Sequence, residues 1–430
     1  MRKKYLHILS FDGLSKVDIE KIKNMPNFKD FFKNASGCKN VKSVYPSVTY
    51  CAHTSITTGT YPCKHGIINN TRLQANRKSP DWYWYDKDIK VDTFQKLAKE
   101  NGYEILSIFW PVTAGAKFIK YNMPEIFANR WWKNQVGVSL VNGSFEFQYR
   151  LNSKFGNLRN GIKEPELDNF SHESFLYSLE HFKADINMVH YIDLDSQRHE
   201  FGFNSKEANK ALERLDQRLG DLIAKLKELD IYENSVIVIL GDHSSIDGHS
   251  NIYINTLFEK AGFLEKNKDE TIKRYSVICK SSDGSAYVYA DKKVRNEKIL
   301  KILQPLKEKG IIEKIYNSKE VEHLGADSSC RFMLEASEGY FFMDDVKEKA
   351  IMKIEELIKK GKNIHVNNHG YNPYLKCDYE TVFFISGKGI KENIIVEEMS
   401  LVDEGPTFAK IMGFDMKNVD GKAKVEFLEV

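Results

Sequence analysis

Short apolar runs alternate along this chain with longer segments in which apolar residues recur every three or four positions. The short runs predict strands, the first at Tyr5–Phe11 and a later one at Ser235–Leu240. Residues 204–229 between them carry one apolar face and predict an amphipathic helix, with Asn204 and Glu207 as a capping box at its start. Strand, helix and strand in this order predict an α/β fold, a mostly parallel central sheet flanked by helices.

The pattern changes between residues 255 and 360. Strands are predicted at 276–280 and 286–290, helices at 296–309 and 344–360, and a turn at 281–284. We interpret this segment as a smaller α+β cap that is inserted into the main sheet. The core of the molecule would then consist of residues 1–254 and 361–430.

Composition narrows the class of protein. The 430 residues are 42% hydrophobic, enough for a large core, and 63 basic against 60 acidic side chains argue against a protein that coats nucleic acid. The longest apolar runs, such as 236–240, are far shorter than the roughly 20 residues of a membrane span. The basic N-terminus lacks the apolar stretch of an export signal, and the 6 cysteines form no CxxC pair. We therefore expect a cytoplasmic protein without a membrane span.

Ligands of open α/β sheets bind beyond the carboxyl ends of the strands, so polar residues that follow strands are candidates for the site. Asp12 follows the first strand, and Asp242 and His243 follow the strand Ser235–Leu240. Carboxylate and imidazole groups are good ligands for a borderline divalent metal. The alternatives are ordinary structural roles: a buried or capping Asp12, and a helix-capping Asp242 beside a surface His243.

A third place is the segment from His190 to His199. Asp195 and His199 are four residues apart, so one helical turn would put both side chains on one face within reach of one ion. Asp193 and His190 compete with them for that role. The residues alone leave this choice open.

Two further segments complete the candidate set. His365 and His369 lie in a polar turn, where His369 beside Gly370 is the better placed metal ligand, although an ordinary loop histidine is the alternative. Thr49 precedes a predicted short helix at residues 50–58. Free N–H groups at a helix start favour an alkoxide or a phosphoryl oxygen, but a threonine there is ordinarily only an N-cap.

These pieces, taken together, resemble the alkaline phosphatase superfamily and, within it, the nucleotide pyrophosphatase/phosphodiesterase family. The resemblance runs in order through almost the whole chain. Its motifs are Phe11-Asp12-Gly13, Tyr45-Pro-Ser-Val-Thr49 through His53, Thr58-Gly-Thr-Tyr-Pro62 with His65-Gly-Ile-Ile-Asn-Asn70, Phe109-Trp110-Pro111, Asp195 with His199, Gly241-Asp242-His243, and His369-Gly-Tyr371.

The resemblance implies a site with two divalent metal ions, most simply zinc, with manganese as the alternative. One ion would be held by Asp195, His199 and His369, and the other by Asp12, Asp242 and His243, with Thr49 bridging toward it as the nucleophile. Asn70 matches the asparagine that binds a phosphoryl oxygen in the family. The implied reaction is hydrolysis of a phosphodiester or pyrophosphate bond of a small molecule or nucleotide through a threonyl-phosphate intermediate.

Formal charge bears on the substrate. Three aspartates, two divalent ions and a threonine alkoxide sum to zero, which suits a singly charged diester better than a doubly charged monoester. Arg198, immediately before His199, stands where the family usually has glycine. Turned inward, it would bind substrate and supply the cation that a monoester needs; turned outward, it would be a solvated surface residue.

The substrate pocket is predicted from aromatic and polar positions. Tyr50 keeps an aromatic platform next to the nucleophile, and His190 lies near the position of a base-stacking aromatic in nucleotide-binding members. Trp110, from the motif above, is a further candidate for substrate binding. The aromatic stretches 82–85 and 130–132 could line the leaving-group pocket, with core packing or a lid as the alternative.

Two other functions remain open at this stage. A phosphomonoesterase or a phosphonate hydrolase of the same superfamily would carry the same metal ligands. A non-catalytic binding module that keeps its metals for structural reasons is the alternative from another class, although such a site would not need an intact Thr49. The oligomeric state does not follow from the sequence.

Overall fold

The structure is a computed structural model that describes residues 4–362 and 364–429. Its strands are β1 (Tyr5–Phe11), β2 (Ser36–Lys42), β3 (Ile105–Ile108), β4 (Tyr121–Met123), β5 (Ile186–Tyr191), β6 (Ser235–Leu240), β7 (Ile246–Asp247), β8 (Ser250–Ile252), β9 (Leu264–Lys266), β10 (Ile272–Tyr275), β11 (Val277–Ser282), β12 (Ser285–Ala290), β13 (Ile312–Asn317), β14 (Phe332–Ala336), β15 (Tyr340–Phe342), β16 (Ile351–Lys353), β17 (Asn367–Asn368), β18 (Thr381–Gly387) and β19 (Met399–Ser400). Its α-helices are α1 (Ile19–Ile22), α2 (Pro26–Phe31), α3 (Thr49–Thr58), α4 (Pro62–His65), α5 (Phe94–Glu100), α6 (Gln135–Asn142), α7 (Phe145–Phe155), α8 (Glu166–His181), α9 (Asp193–Phe201), α10 (Lys206–Glu228), α11 (Ile254–Lys260), α12 (Asn296–Glu308), α13 (Ser318–His323), α14 (Ile354–Lys359) and α15 (Glu404–Ile411).

An 8-stranded sheet forms the centre of the fold, in the order β19-β2-β18-β6-β1-β5-β3-β4. β1 lies between β5 and β6 and runs parallel to both. β18 is antiparallel to its neighbours β2 and β6, whereas the other pairs in the sheet are parallel. The prediction of an α/β fold with a mostly parallel central sheet is confirmed.

Both faces of this sheet are buried, as expected for a parallel sheet covered by helices. Along β6, Ile237 and Ile239 contact one hydrophobic cluster, whereas Val238 and Leu240 contact the other. The first cluster includes the apolar face of α10, and the second includes residues of α3, α5 and α15. Side chains alternate between the two faces of a strand, so a continuous apolar run such as β6 fits this position.

The helix predicted at 204–229 is α10, and its predicted apolar face is the buried one. The capping box at its start is wrong. Ser205 is the N-cap and accepts a hydrogen bond from the Ala208 N–H, while the Asn204 side chain accepts one from Lys21. A tertiary contact thus takes the Asn204 amide away from the helix end.

The inserted segment has a sheet of its own. β11, β12, β14 and β13 form a 4-stranded antiparallel sheet, and α12 packs on it through Ile299 and Leu303. The predicted strands and the helix at 296–309 are present, but the predicted helix at 344–360 is wrong. Residues Ile351–Lys353 instead pair with β8, and only Ile354–Lys359 are helical. Pairing with β8 overrides the local helical pattern, and the boundaries 255 and 360 stay predictions.

The cysteines and the helices bear on the expected location of the protein. All six cysteines are unpaired. In the part of the chain that the structure describes, no helix is both long enough and apolar enough to cross a bilayer. Residues 1–3 of the basic N-terminus lie outside the described part, and the cytoplasmic location stays a prediction.

Arg198 is an internal support of the fold. Its side chain is fully buried, and its guanidinium donates hydrogen bonds to Asp18 and to the Gly13 carbonyl, both at 2.6 Å. The guanidinium also lies over the ring of Phe203. Both predictions for this residue are therefore wrong: Arg198 neither binds substrate nor lies at the surface, because Asp18 compensates its charge inside the core. It fixes the turn that follows Asp12.

We expect Arg198→Met to destabilise the protein by about 3–5 kcal/mol, because it leaves the Asp18 carboxylate buried without its partner. Urea unfolding of the purified variant measures this change. Arg150→Met is the control, since Arg150 forms an exposed pair with Glu146 on α7 whose loss should cost no more than about 1 kcal/mol. Equal stability of the two variants would contradict the buried role of Arg198.

Candidate active site and metal centre

Three neighbouring strands deliver the charged residues to one edge of the sheet. Asp12 follows β1, Asp242 and His243 follow β6, and α9, which carries Asp195, follows β5. Gly241 allows the end of β6 to pack closely against the chain after β1, because a Cβ at this position would lie 2.2 Å from the Leu14 carbonyl oxygen. The carboxyl ends of these strands thus bring together residues that are distant in the sequence.

Asp195, His199 and His369 form one group, here called the Asp195 cluster. One potential ligand atom from each lies within 4.8 Å of the others. Asp195 and His199 are one turn apart on α9, and the carboxylate oxygen lies 2.9 Å from Nε2 of His199. The other ring nitrogen, Nδ1, donates a hydrogen bond to the Asn367 carbonyl at 2.7 Å, which turns Nε2 toward the cluster.

Asp12, Asp242 and His243 form the second group, the Asp12 cluster, which meets the same distance criterion of 4.8 Å. Nε2 of His243 lies 3.2 Å from the Asp242 carboxylate and 3.5 Å from that of Asp12. The Gly13 N–H donates a hydrogen bond to Asp242 at 3.0 Å. The two clusters adjoin, since the rings of His243 and His369 are 4.0 Å apart.

Burial and like charge make these clusters receptive to cations. Burial, with repulsion from neighbouring carboxylates, raises the pKa of Asp12 and of Asp242 to about 7. Burial would lower the pKa of His199, but the Asp195 carboxylate overcomes this and raises it to about 9. One carboxylate oxygen each of Asp12, Asp195 and Asp242 is buried and has no hydrogen-bond partner among the residues that the structure describes. Oxygen and nitrogen donors in this arrangement fit a divalent metal in each cluster.

Thr49 is the first residue of α3 and not its N-cap, which is Val48. The simple capping role is therefore wrong. The Thr49 hydroxyl lies 3.2 Å from Nε2 of His243, and the residue keeps 8% of its surface exposed. His53, one turn further, donates from Nδ1 to the Thr49 carbonyl at 2.8 Å. The start of the helix thus holds the Thr49 hydroxyl against the Asp12 cluster.

Asn70 lies beside the start of α3. Its side-chain oxygen accepts a hydrogen bond from the Tyr50 N–H at 2.9 Å, so its NH₂ group is directed away from the helix. Asn70 lines a cleft of about 610 Å³ together with His199 and His369. The cleft is of the size that binds small molecules.

The side chains of Tyr50 and Trp110 do not reach the cleft, so their predicted substrate contacts are wrong. Tyr50 is fully buried, and its hydroxyl donates to Glu125 at 3.1 Å. Trp110 is 1% exposed and packs edge-on against His53. In their place Trp82, from the aromatic stretch 82–85, packs on Tyr50 and lines the cleft. Tyr50 and Trp110 therefore belong to the buried packing behind the site.

His190 and Asp193 support the site from behind. His190 is fully buried, with Nε2 at 3.1 Å from Asp12 and Nδ1 donating to the Phe109 carbonyl, so its predicted contact with substrate is wrong. Asp193 is bound by Arg214 at 2.6 and 2.9 Å. Neither residue belongs to the Asp195 cluster, so the structure favours Asp195 and His199 as the ligand pair.

Other residues of the cleft were missed or differ from expectation. His365 is exposed at the cleft with its ring 4.2 Å from that of His199, but it is outside both clusters. Trp131 and Trp132 of the stretch 130–132 are 92% and 62% exposed and are not among the residues that line the cleft. Asp283 of the inserted segment does line it. The sequence predicts a turn at 281–284 but contains no pattern that indicates a contact between Asp283 and the clusters.

The sheet topology, with two clusters of potential metal ligands at the carboxyl ends of its strands, is that of an alkaline phosphatase-like fold. The chain belongs to the type I phosphodiesterase / nucleotide pyrophosphatase family, whose model matches residues 6–372.

Similar proteins include human ectonucleotide pyrophosphatase/phosphodiesterase family member 1, 29% identical over 266 residues, which are 59% of this chain and 23% of that protein. Human bis(5'-adenosyl)-triphosphatase ENPP4 is 26% identical over 258 residues, 58% of this chain and 49% of that protein. The chain thus spans less than half the length of these two relatives. The fold is similar to that of murine ectonucleotide pyrophosphatase/phosphodiesterase 5, solved as an inactive form in complex with AMP, with a TM-score of 0.65, 16% identity and 98% of each chain covered.

We expect the two clusters to differ in the pH dependence of metal binding, because a metal must displace the protons that its ligands carry. The affinity of the Asp12 cluster should rise with pH and level off above about 7, the pKa to which burial raises Asp12 and Asp242. The affinity of the Asp195 cluster should keep rising to about pH 9, until His199 has lost its proton. Calorimetric titrations with zinc at several pH values measure both, and identical profiles would contradict this assignment.

Proposed function

We propose that this protein is a two-metal phosphodiesterase that hydrolyses phosphodiester or pyrophosphate bonds of nucleotides through a threonyl-phosphate intermediate. The observation that carries the proposal is the position of the Thr49 hydroxyl, 3.2 Å from His243 where the two clusters adjoin. A purely structural metal site would have no use for a hydroxyl held beside its ligands. The family to which the chain belongs supports the same activity.

Thr49 and Asn70 have separate roles in the proposed reaction. Thr49 Oγ1 attacks phosphorus and displaces the alcohol or phosphate leaving group, and water then cleaves the threonyl-phosphate in a second displacement. The NH₂ group of Asn70 donates to a non-bridging phosphoryl oxygen and stabilises its developing charge. Two zinc ions, when bound, supply Lewis-acid stabilisation and lower the pKa of the threonine hydroxyl. Manganese is the alternative metal.

Diesters are favoured over monoesters by the charges at the site. The formal charge of three aspartates, two divalent ions and an alkoxide is zero, which suits a phosphate with one negative charge. Arg198 could have added a cation, but it is buried against Asp18. Lys280, at the cleft, is paired with Asp344. Arg198 therefore provides no cation for a second negative charge on the phosphate.

Nucleotides are the substrate class that the relatives support. One relative is named a bis(5'-adenosyl)-triphosphatase, and the murine structure holds AMP. In this chain Trp82 is the aromatic residue that lines the cleft near Asn70, whereas Tyr50 is buried. We propose that a nucleobase packs against Trp82, since an aromatic face is a suitable platform for a base.

Thr49→Ala should abolish turnover of bis(4-nitrophenyl) phosphate, by about 10³-fold or more, while both metals stay bound. Stopped-assay kinetics and metal analysis of the same preparation measure the two properties. Thr49→Ser should keep part of the activity, because it keeps a hydroxyl. Thr58→Ala, at the other end of α3, is the matched control and should leave turnover unchanged.

Unchanged turnover in Thr49→Ala would refute the nucleophile. A comparison of the diester with 4-nitrophenyl phosphate separates the related functions, since a clear preference for the monoester would identify a phosphomonoesterase. Cleavage of a phosphonate carbon–phosphorus bond in preference to either ester would identify a phosphonate hydrolase. A protein that binds both metals and cleaves none of these compounds would be the non-catalytic module.

A further inference from the structure

The inserted segment touches the Asp195 cluster through the turn between β11 and β12. The Gly284 N–H in this turn donates a hydrogen bond to the His369 carbonyl at 2.8 Å. Gly370, with a φ of +85°, packs so closely that a Cβ there would lie 1.9 Å from the Ser282 carbonyl oxygen. The backbone on either side of the turn is thus fixed directly to the loop that carries a metal-ligand candidate.

The same turn is held from the opposite side by Asn69. Its side-chain NH₂ donates to the Ser281 carbonyl and to the Ser282 hydroxyl, both at 2.8 Å. Asn69 precedes Asn70, the candidate for binding the phosphoryl oxygen. The turn therefore lies between two parts of the active site, and its position is determined by both of them.

Asp283 is the residue that this turn presents to the cluster. Its backbone has a φ of +58°, in the left-handed region that only glycine, asparagine and aspartate adopt with any ease. Its carboxylate lies 3.9 Å from Nδ1 of His369, at the wall of the cleft. That Nδ1 is buried and has no hydrogen-bond partner within the described residues.

We assign Nε2 of His369 to the metal by analogy with the other two imidazoles. His199 and His243 both turn Nε2 toward the carboxylates of their clusters. His199 is kept in this orientation by the hydrogen bond from its Nδ1 to Asn367. A histidine that binds a metal through Nε2 must carry its proton on Nδ1, and that N–H needs an acceptor. For His369 the group that faces Nδ1 is Asp283.

We propose that Asp283 is a positioning residue, which holds the His369 imidazole with Nδ1 protonated and Nε2 directed to the metal of the Asp195 cluster. The inference rests on the proposed two-metal function. At 3.9 Å the contact is longer than a direct hydrogen bond, so Asp283 acts by electrostatic attraction or through one bridging water. The inserted segment would thereby complete a metal site whose ligands all lie outside it.

Two substitutions of Asp283 separate its charge from its backbone conformation. Asp283→Gly removes the carboxylate and suits the left-handed backbone, so a loss cannot be attributed to strain. Asp283→Asn keeps an oxygen that can accept from Nδ1 and also tolerates this backbone. Asp291→Asn is the matched control, since Asp291 is an exposed aspartate that follows β12 of the same hairpin. Circular dichroism of each variant checks that it is folded.

The measurement is zinc affinity of the full chain by competition with a chelator, with the visible spectrum of the cobalt-substituted protein as the second readout. We expect Asp283→Gly to weaken one of the two metal equivalents about 10- to 100-fold and to alter the cobalt bands. Asp283→Asn should recover most of the affinity, and Asp291→Asn should match the wild type.

Wild-type affinity of both equivalents in Asp283→Gly, with an unchanged cobalt spectrum, would overturn the proposal. An equal loss at both equivalents would also overturn it, because Asp283 faces only the Asp195 cluster. The outcome is independent of the proposed reaction. A wild-type protein that binds two metals without cleaving diesters would refute the proposed function, while the effect of Asp283→Gly on one metal equivalent would still stand.

Discussion

The burial of several carboxylates at one edge of the sheet is the constraint on which the rest of this molecule depends. Asp12, Asp195 and Asp242 lie beyond three adjacent parallel strands. Burial and repulsion from neighbouring carboxylates oppose the ionisation of Asp12 and Asp242, whereas the neighbouring imidazole of His199 favours that of Asp195. Isolated buried charges cost free energy, and a divalent cation bound between the carboxylates would offset that cost. The ligand atoms of each cluster already lie close to one another, so little rearrangement is needed for binding. The strands fix where the carboxylates lie, and their chemistry then determines what the edge binds.

A second layer of polar residues holds these carboxylates in place. His190 lies against Asp12, His53 fixes the carbonyl of Thr49, and Arg198 fixes Gly13, immediately after Asp12. All three side chains are fully buried, so each interaction operates where water does not compete for it. A reactive hydroxyl can be positioned within a few tenths of an ångström only if its support is this rigid. The polar core is therefore part of the site, although it touches no substrate.

The parts of this arrangement that could be predicted from the sequence are those with a local cause. Asp12, Asp242 and His243 directly follow apolar strands, and Asp195 and His199 are one helical turn apart, so a short stretch of chain determines their place. The direction of a side chain has no such local signal. Arg198 was placed in the cleft or at the surface because its partner Asp18 is remote in the sequence.

The same distinction explains the other errors. The segment 344–360 has a helical pattern, yet part of it pairs with β8, about 100 residues earlier along the chain. Aromatic residues occur both in substrate pockets and in hydrophobic cores, so their type alone does not distinguish the two roles. The tertiary packing places Tyr50 and Trp110 in the core. Local pattern predicts which residues an element contains, whereas burial depends on what the rest of the chain places against it.

The proposed role of Asp283 makes one candidate metal site depend on the segment 255–360, which supplies none of its ligands. The turn between β11 and β12 is bound to the His369 loop by a backbone hydrogen bond and is held by Asn69, so neither contact requires a metal. These two contacts of the turn are neutral, and they bring the carboxylate of Asp283 to His369. The left-handed backbone at Asp283 favours glycine, asparagine or aspartate at this position, and these three residues differ in charge. The choice among them determines whether a carboxylate faces the His369 imidazole, and thereby how firmly that imidazole is oriented toward the Asp195 cluster.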